Sequence, residues 1–178
     1  MRQLFSIVTV CAAVLIAAAS PCRAAYTFRD LHPAGAQGVN SAALAVQGGQ
    51  QAGIVNTSNP RATVWNGTAA SAVNLHRPTT FLSTSYANAV WGGRQGGRQE
   101  LVVEHEGING FQDHAILWSG TAESWMDVHP GPAYSTSSIE GMNAARQVGY
   151  AYLGFVNEAT PHAATWADEM ALLGELGA

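Results

Sequence analysis

Downstream of residue 24 the apolar positions come in short runs broken by Gly, Pro, Asn and Ser, and no stretch sustains the 3.6-residue spacing of a capped helix. Runs 41–46 and 85–91 are small and apolar. Run 147–156 carries Val148, Tyr150, Tyr152 and Phe155, the β-branched and aromatic residues that suit a pleated surface. Gly48-Gly49-Gln50-Gln51 and Gly92-Gly93-Arg94-Gln95 read as tight hairpin turns that need positive φ. Runs 114–118 and 124–129 flank Ser119-Gly120-Thr121, a further turn. Alanine is frequent, but the turn spacing argues against helix, and Ala at strand positions fits close packing between neighbouring sheets.

These runs recur as one unit in three copies. Leu31-His32-Pro33, Leu75-His76-Arg77 and Val128-His129-Pro130 form one column, and Ser41, Ser85 and Ser138 follow the first residue of each by ten positions. A turn column follows, ending at Gly53, Gly97 and Gly149, then a strand column ending at Trp65, Trp118 and Trp166. The Trp-to-Trp spacings are 53 and 48 residues, in the range of propeller blades. The gap between the last turn Gly and the Trp varies, at 12, 21 and 17 residues. Each copy reads strand, turn, strand, loop, strand, turn, strand. The expected fold is therefore all-β: three repeats of four-stranded antiparallel sheets, propeller-like, over about 30–76, 75–129 and 128–178. Propellers typically close with four to eight blades. Three copies leave three alternatives: a six-sheet ring from a homodimer, a prism-like three-sheet body, or a partial array with exposed edges. Segments 30–32 and 172–176 occupy equivalent places and are expected to be strands able to share one blade.

Residues 1–24 read as an export signal: Arg2 in a short positive start, an apolar run over 7–19, and small residues before Ala25. The run is too short for a stable membrane anchor. Removal of this segment takes both cysteines, Cys11 and Cys22, which excludes thiol, Cys-zinc and iron–sulfur chemistry from 25–178. The expected location is secreted or periplasmic. All 8 basic residues are Arg, and the net charge of −4 offers little for a phosphate backbone, so no nucleic-acid partner is expected.

The His-Ala-x-x-Trp blocks at 114–118 and 162–166, Glu175-Leu176-Gly177 and the stretch 143–149 resemble the bacterial extracellular repeats of the HAF family. In that family a His-Ala-Phe-Leu-Trp block leads to Asp-Leu-Gly, and a Gly-Gln-Val-Val-Gly block follows an Asn. Here Ile116 and Ala164 replace the Phe, Arg61 replaces the first His, and His32, His76 and His129 stand where Leu-Gly has Gly. The resemblance implies propeller-like sheets and no catalytic residue.

Candidate chemistry is sparse. His32, His76 and His129 could form a three-His metal site on a pseudo-threefold axis, but their place beside Pro33, Pro78 and Pro130 fits the blade-to-blade connection better, so no metal or other cofactor is expected. Repetition makes His114 and His162 structural hydrogen-bonders and Trp65, Trp118 and Trp166 core anchors. Trp91 and Trp125 are not repeated and are candidates for an aromatic contact. Glu104 and Glu106 share a strand face in the longest variable segment, the loop over 100–113, where a carboxylate pair could bind a cation or act on a glycoside, though the plainer reading of the two is the solvated edge of a hairpin. Glu104, Glu106 and Trp91 are the binding candidates. No nucleophile elbow, His-Glu-x-x-His or phosphate loop is present. The expectation is an exported, non-enzymatic binding or scaffold module for an unknown protein or glycan. A secreted carbohydrate-active hydrolase, or a remnant of a longer repeat protein, is the alternative.

Overall fold

The computed structural model describes residues 26–36, 38–56, 58–78, 83–105, 108–154 and 159–167. The chain is all-β and forms three antiparallel sheets in sequence order. The first comprises β1 (Ser41–Gln47), β2 (Gln50–Val55), β3 (Arg61–Trp65) and β4 (Val73–Asn74). The second repeats it with β5 (Ser85–Trp91), β6 (Arg94–His105), β7 (Ile108–Trp118) and β8 (Met126–Asp127). The third comprises β9 (Tyr134–Met142), β10 (Arg146–Leu153) and β11 (Thr160–Ala167). The expected fourth strand of this sheet, over 172–176, and the export segment 1–24 lie outside the described residues. Segment 30–32, expected as a strand, is irregular. Among the described residues no helix is long and apolar enough to cross a membrane.

Each sheet is a meander joined by the turns that the sequence marks. Gly48-Gly49 and Gly92-Gly93 take φ of 58°, 85°, 55° and 82°, values that L side chains resist. The Gln that follows braces the turn: Gln51 Nε2 donates to the Gly49 carbonyl and Gln95 Nε2 to that of Gly93, both at 2.9 Å. Their Oε1 atoms accept from Gly67 N at 2.9 Å and Gly120 N at 2.8 Å, just beyond Trp65 and Trp118. One side chain thus ties the second strand's start to the third strand's end. After each Trp comes a 3₁₀ turn, Ala69–Ser71 or Ala122–Ser124, closed by a Ser hydroxyl: Asn66 N donates to Ser71 Oγ and Ser119 N to Ser124 Oγ.

The first strand of every sheet carries a bulge at the same place, with Leu44, Asn88 or Glu140 as the extra residue. Gly53, Gly97 and Gly149 lie opposite. A Cβ at these positions would sit 2.0, 1.8 and 1.9 Å from the carbonyl oxygens of Ala42, Tyr86 and Ser138. The last Gly of each turn block is there because the bulged backbone presses onto it.

The core lies in two slabs between faces of adjacent sheets. Ala52, Ala62, Val64 and Leu75 of the first unit pack on Ala87, Val90, Ile116 and Trp118 of the second. On the other face of the second sheet, Ala89, Ala115 and Leu117 pack on Ile139, with Met142, Val128 and Trp166 partly buried against them. The middle sheet is therefore covered on both faces, and β7 runs Ala115, Ile116, Leu117, Trp118 without exposure above 6%. Alanine at the slab positions lets sheets approach closely, and Trp fills the outer gap.

Candidate functional site

The repeated histidines build a relay across each seam. The Asp or Asn two residues earlier accepts the His backbone N–H: Asp30 for His32, Asn74 for His76 and Asp127 for His129, all at 2.9 Å. This Asx turn aims the ring at a serine of the same unit. His32 Nδ1 lies 2.9 Å from Ser41 Oγ, His76 Nδ1 2.9 Å from Ser85 Oγ, and His129 Nδ1 2.7 Å from Ser137 Oγ. The serine of the third copy is Ser137, one position before the Ser138 that a fixed ten-residue offset predicts. Ser85 Oγ in turn accepts from Ala62 N in the first sheet, and Ser137 Oγ from Ala115 N in the second, each at 2.9 Å.

Proton positions follow from these partners. His129 Nε2 faces the Tyr134 carbonyl at 3.0 Å, an acceptor only, so Nε2 carries the proton. Nδ1 is then an acceptor, Ser137 donates its hydroxyl proton to it, and the serine oxygen receives Ala115 N–H. His32 repeats this with the Ala36 carbonyl at 3.2 Å from Nε2. The neutral ring satisfies every group, whereas a second ring proton would face the serine's own. Burial and the neighbouring Arg61 push His76 down to about 4. Burial, then His114, push His129 below the ordinary histidine range. Ser85 and Ser137 are fully buried and committed in both directions, so these Ser–His pairs act as staples.

Beside the His129–Ser137 relay is a groove of about 320 Å³, lined by Val103, Glu104, Gln112, His114, Asp127, His129, Gly131, Pro132 and Tyr134. His114 Nδ1 bonds Asp127 Oδ2 at 2.8 Å, and its ring stacks on His129 at 4.0 Å between centroids, 12° from parallel. Burial opposes ionisation of Asp127, but the hydrogen bonds from His114 and from His129 N outweigh it and hold the carboxyl below its usual range. The same place in the first sheet has Arg61 beside His76 and Asn74 in place of Asp127. Arg61 and Asn74 are 13 residues apart, as are His114 and Asp127, a signal in the repeat frame that sequence reading missed. His114 Nε2 is buried and has no hydrogen-bond partner among the described residues. The pair is held by its own hydrogen bond and by the stack on His129, and its outer nitrogen is closed to solvent.

Glu104 is exposed on the groove's rim, opposite Asn109 near the end of the β6–β7 hairpin. Glu106 lies outside the described residues. Trp91 is 39% exposed at the Gly92-Gly93 turn, opposite Arg94. Arg94 begins β6 and Glu104 stands ten residues on, so the two candidates are about 30 Å apart along the strand and form separate surfaces. Trp125 is half-buried against the first core slab, with the Arg77 guanidinium 5.1 Å from its ring. Segment 100–113, expected as a loop, is the far half of an antiparallel hairpin paired from Gln95↔Trp118 to His105↔Ile108. Among the described residues no three His, Asp or Glu side chains converge on a point that could hold a metal ion.

The chain matches no family model, no curated protein and no solved structure at a significant level.

Proposed function

We propose that the protein is an exported, HAF-type β-repeat module that works by binding or scaffolding, without turnover, and that the β6–β7 hairpin is its contact surface. The supporting observation is the hairpin's excess length. β6 has 12 residues and β7 has 11, against 6 and 5 for β2 and β3 in the first sheet. The added part presents a cross-strand pair, Val102 opposite Phe111, exposed by 43% and 63%, with the Glu104 carboxylate beside it. An apolar pair next to a charge on a two-stranded support is the composition of a contact surface. Meanwhile His76 with Ser85 and His129 with Ser137 are occupied in the seams.

The test compares the protein with Phe111→Ala and Glu104→Gln for retention on immobilised polysaccharides and on cell-envelope proteins, with reducing-sugar release measured in parallel. Binding to either support that both variants weaken at least tenfold, without sugar release, is the expected result. Sugar release that Glu104→Gln abolishes would replace this reading with a carbohydrate-active hydrolase.

A further inference from the structure

Among the described residues no sheet packs on the outer face of the first sheet or of the third, and these are the two halves of a seam that the molecule already makes twice. At each internal seam the incoming face offers a bulge-side residue and a Ser–His relay: Ala87 with Ser85, then Ile139 with Ser137. The first sheet carries the same set, Ala43 with Ser41 bonded to His32, and no described sheet packs on that side of it. Val46, the equivalent of the buried Val90, is 71% exposed, and Ala43 is exposed. Thr63 and Trp65 on this face are buried, so what lies open runs along β1.

The receiving face shows the converse. Ala52 of the first sheet is fully buried in the slab that holds Ala87. Its equivalent Gly96 lies under Ile139, whose Cγ2 would be 2.7 Å from an added Cβ. In the third sheet the equivalent is Val148, 51% exposed. Size is compensated across the seams: Ala52 shares its slab with the small Ala87, and Gly96 lies under the larger Ile139. Val148 requires a small residue opposite, and the residue at that position on the first sheet's open face is Ala43. The amide that feeds each relay is also in place, because Ala163 stands in β11 where Ala62 and Ala115 stand in β3 and β7.

The geometry points to head-to-tail self-association: the open face of the first sheet in one copy seats on the open face of the third sheet in a second copy. Ala43 packs on Val148, and Ser41 Oγ accepts Ala163 N–H. The contact is heterologous, and two copies joined at both seams make a six-sheet ring within the propeller range. It does not depend on what the hairpin binds.

The experiment is light scattering after size exclusion on the full chain purified after export, with Val46→Arg and Val148→Arg, one on each open face. The wild type is expected at twice the chain mass and each variant at the chain mass, with circular dichroism unchanged. An equimolar mixture of the two variants should recover a dimer, because one seam then joins two unaltered faces. A polymer that either variant abolishes also supports the pairing of faces. A monomeric wild type, a variant that stays dimeric, or a mixture that stays monomeric would overturn it.

Discussion

Ser85 Oγ and Ala62 N lie 2.9 Å apart across the seam between the first two sheets, and the same serine is bonded to His76 in its own unit. The donor is backbone and the acceptor is fully buried, so no water can replace a lost partner. Ser85→Ala leaves the Ala62 amide and the His76 ring nitrogen without partners, at a cost of about 1–3 kcal/mol. Ser137→Ala should behave alike at the second seam. Urea denaturation checks this against Ser119→Ala at an exposed position, expected within about 0.5 kcal/mol of wild type. Equal effects at the three sites would show that the seam bond carries no weight.

Stability should fall on mild acidification. His76 is held at about 4 in the fold, below its ordinary 6.5. The unfolded chain therefore binds more protons between those values. The contribution is complete above about 6.5 and is lost as pH drops towards 4. Each unit of depression is about 1.4 kcal/mol, so the loss is on the order of 2–3 kcal/mol. His129, also depressed, adds to the slope in the same direction. Asp127, held below its ordinary range, adds a further loss only as pH falls below about 4. Denaturation midpoints measured from pH 7 to pH 4 should decline, and His76→Gln should flatten the decline. A flat wild-type profile would refute the neutral-ring assignment.

Asp127 accepts from both His114 and the His129 amide. Asn74 performs the second task in the first sheet as a neutral amide. Asp127→Asn should therefore cost less than about 1 kcal/mol, and Asp127→Ala about 1–3 kcal/mol, since it also loses the Asx turn. Thermal unfolding of the two variants distinguishes them. If Asn is as damaging as Ala, the charge matters more than the turn.

Gly97→Ala should be among the most disruptive single changes, costing more than about 3 kcal/mol, because the new Cβ would lie 1.8 Å from the Tyr86 carbonyl. Gly110→Ala, with open space around it, should stay within about 0.5 kcal/mol of wild type. A denaturant midpoint for Gly97→Ala near the wild-type value would mean that the bulge relaxes freely.

The sheets were legible because their landmarks have local causes. Gly48-Gly49 and Gly92-Gly93 mark positive φ, and Trp65 and Trp118 end strands that Gln51 and Gln95 brace. The serine column slipped at Ser137 because an offset counts residues, whereas the relay measures distance through space, and the third connection is one residue shorter. The full length of the hairpin is not legible, because its outer pairs, such as Val102 with Phe111, face solvent and lack the apolar alternation of a buried strand. The groove was least legible. Glu104 stood out as a surface carboxylate, but the His114–Asp127 bond joins residues 13 apart that meet only when β7 and β8 pair.

The relay has one more consequence. The two side chains that make it, His and Ser, come from one repeat, and the neighbour contributes only a main-chain amide. Any residue but proline supplies that amide, so a repeat places almost no demand on the identity of the one before it. A gene encoding such units can lengthen, shorten or reorder its copies by recombination, and each new junction inherits a working polar clasp. Only the fit of facing small and large side chains must then be adjusted, one substitution at a time.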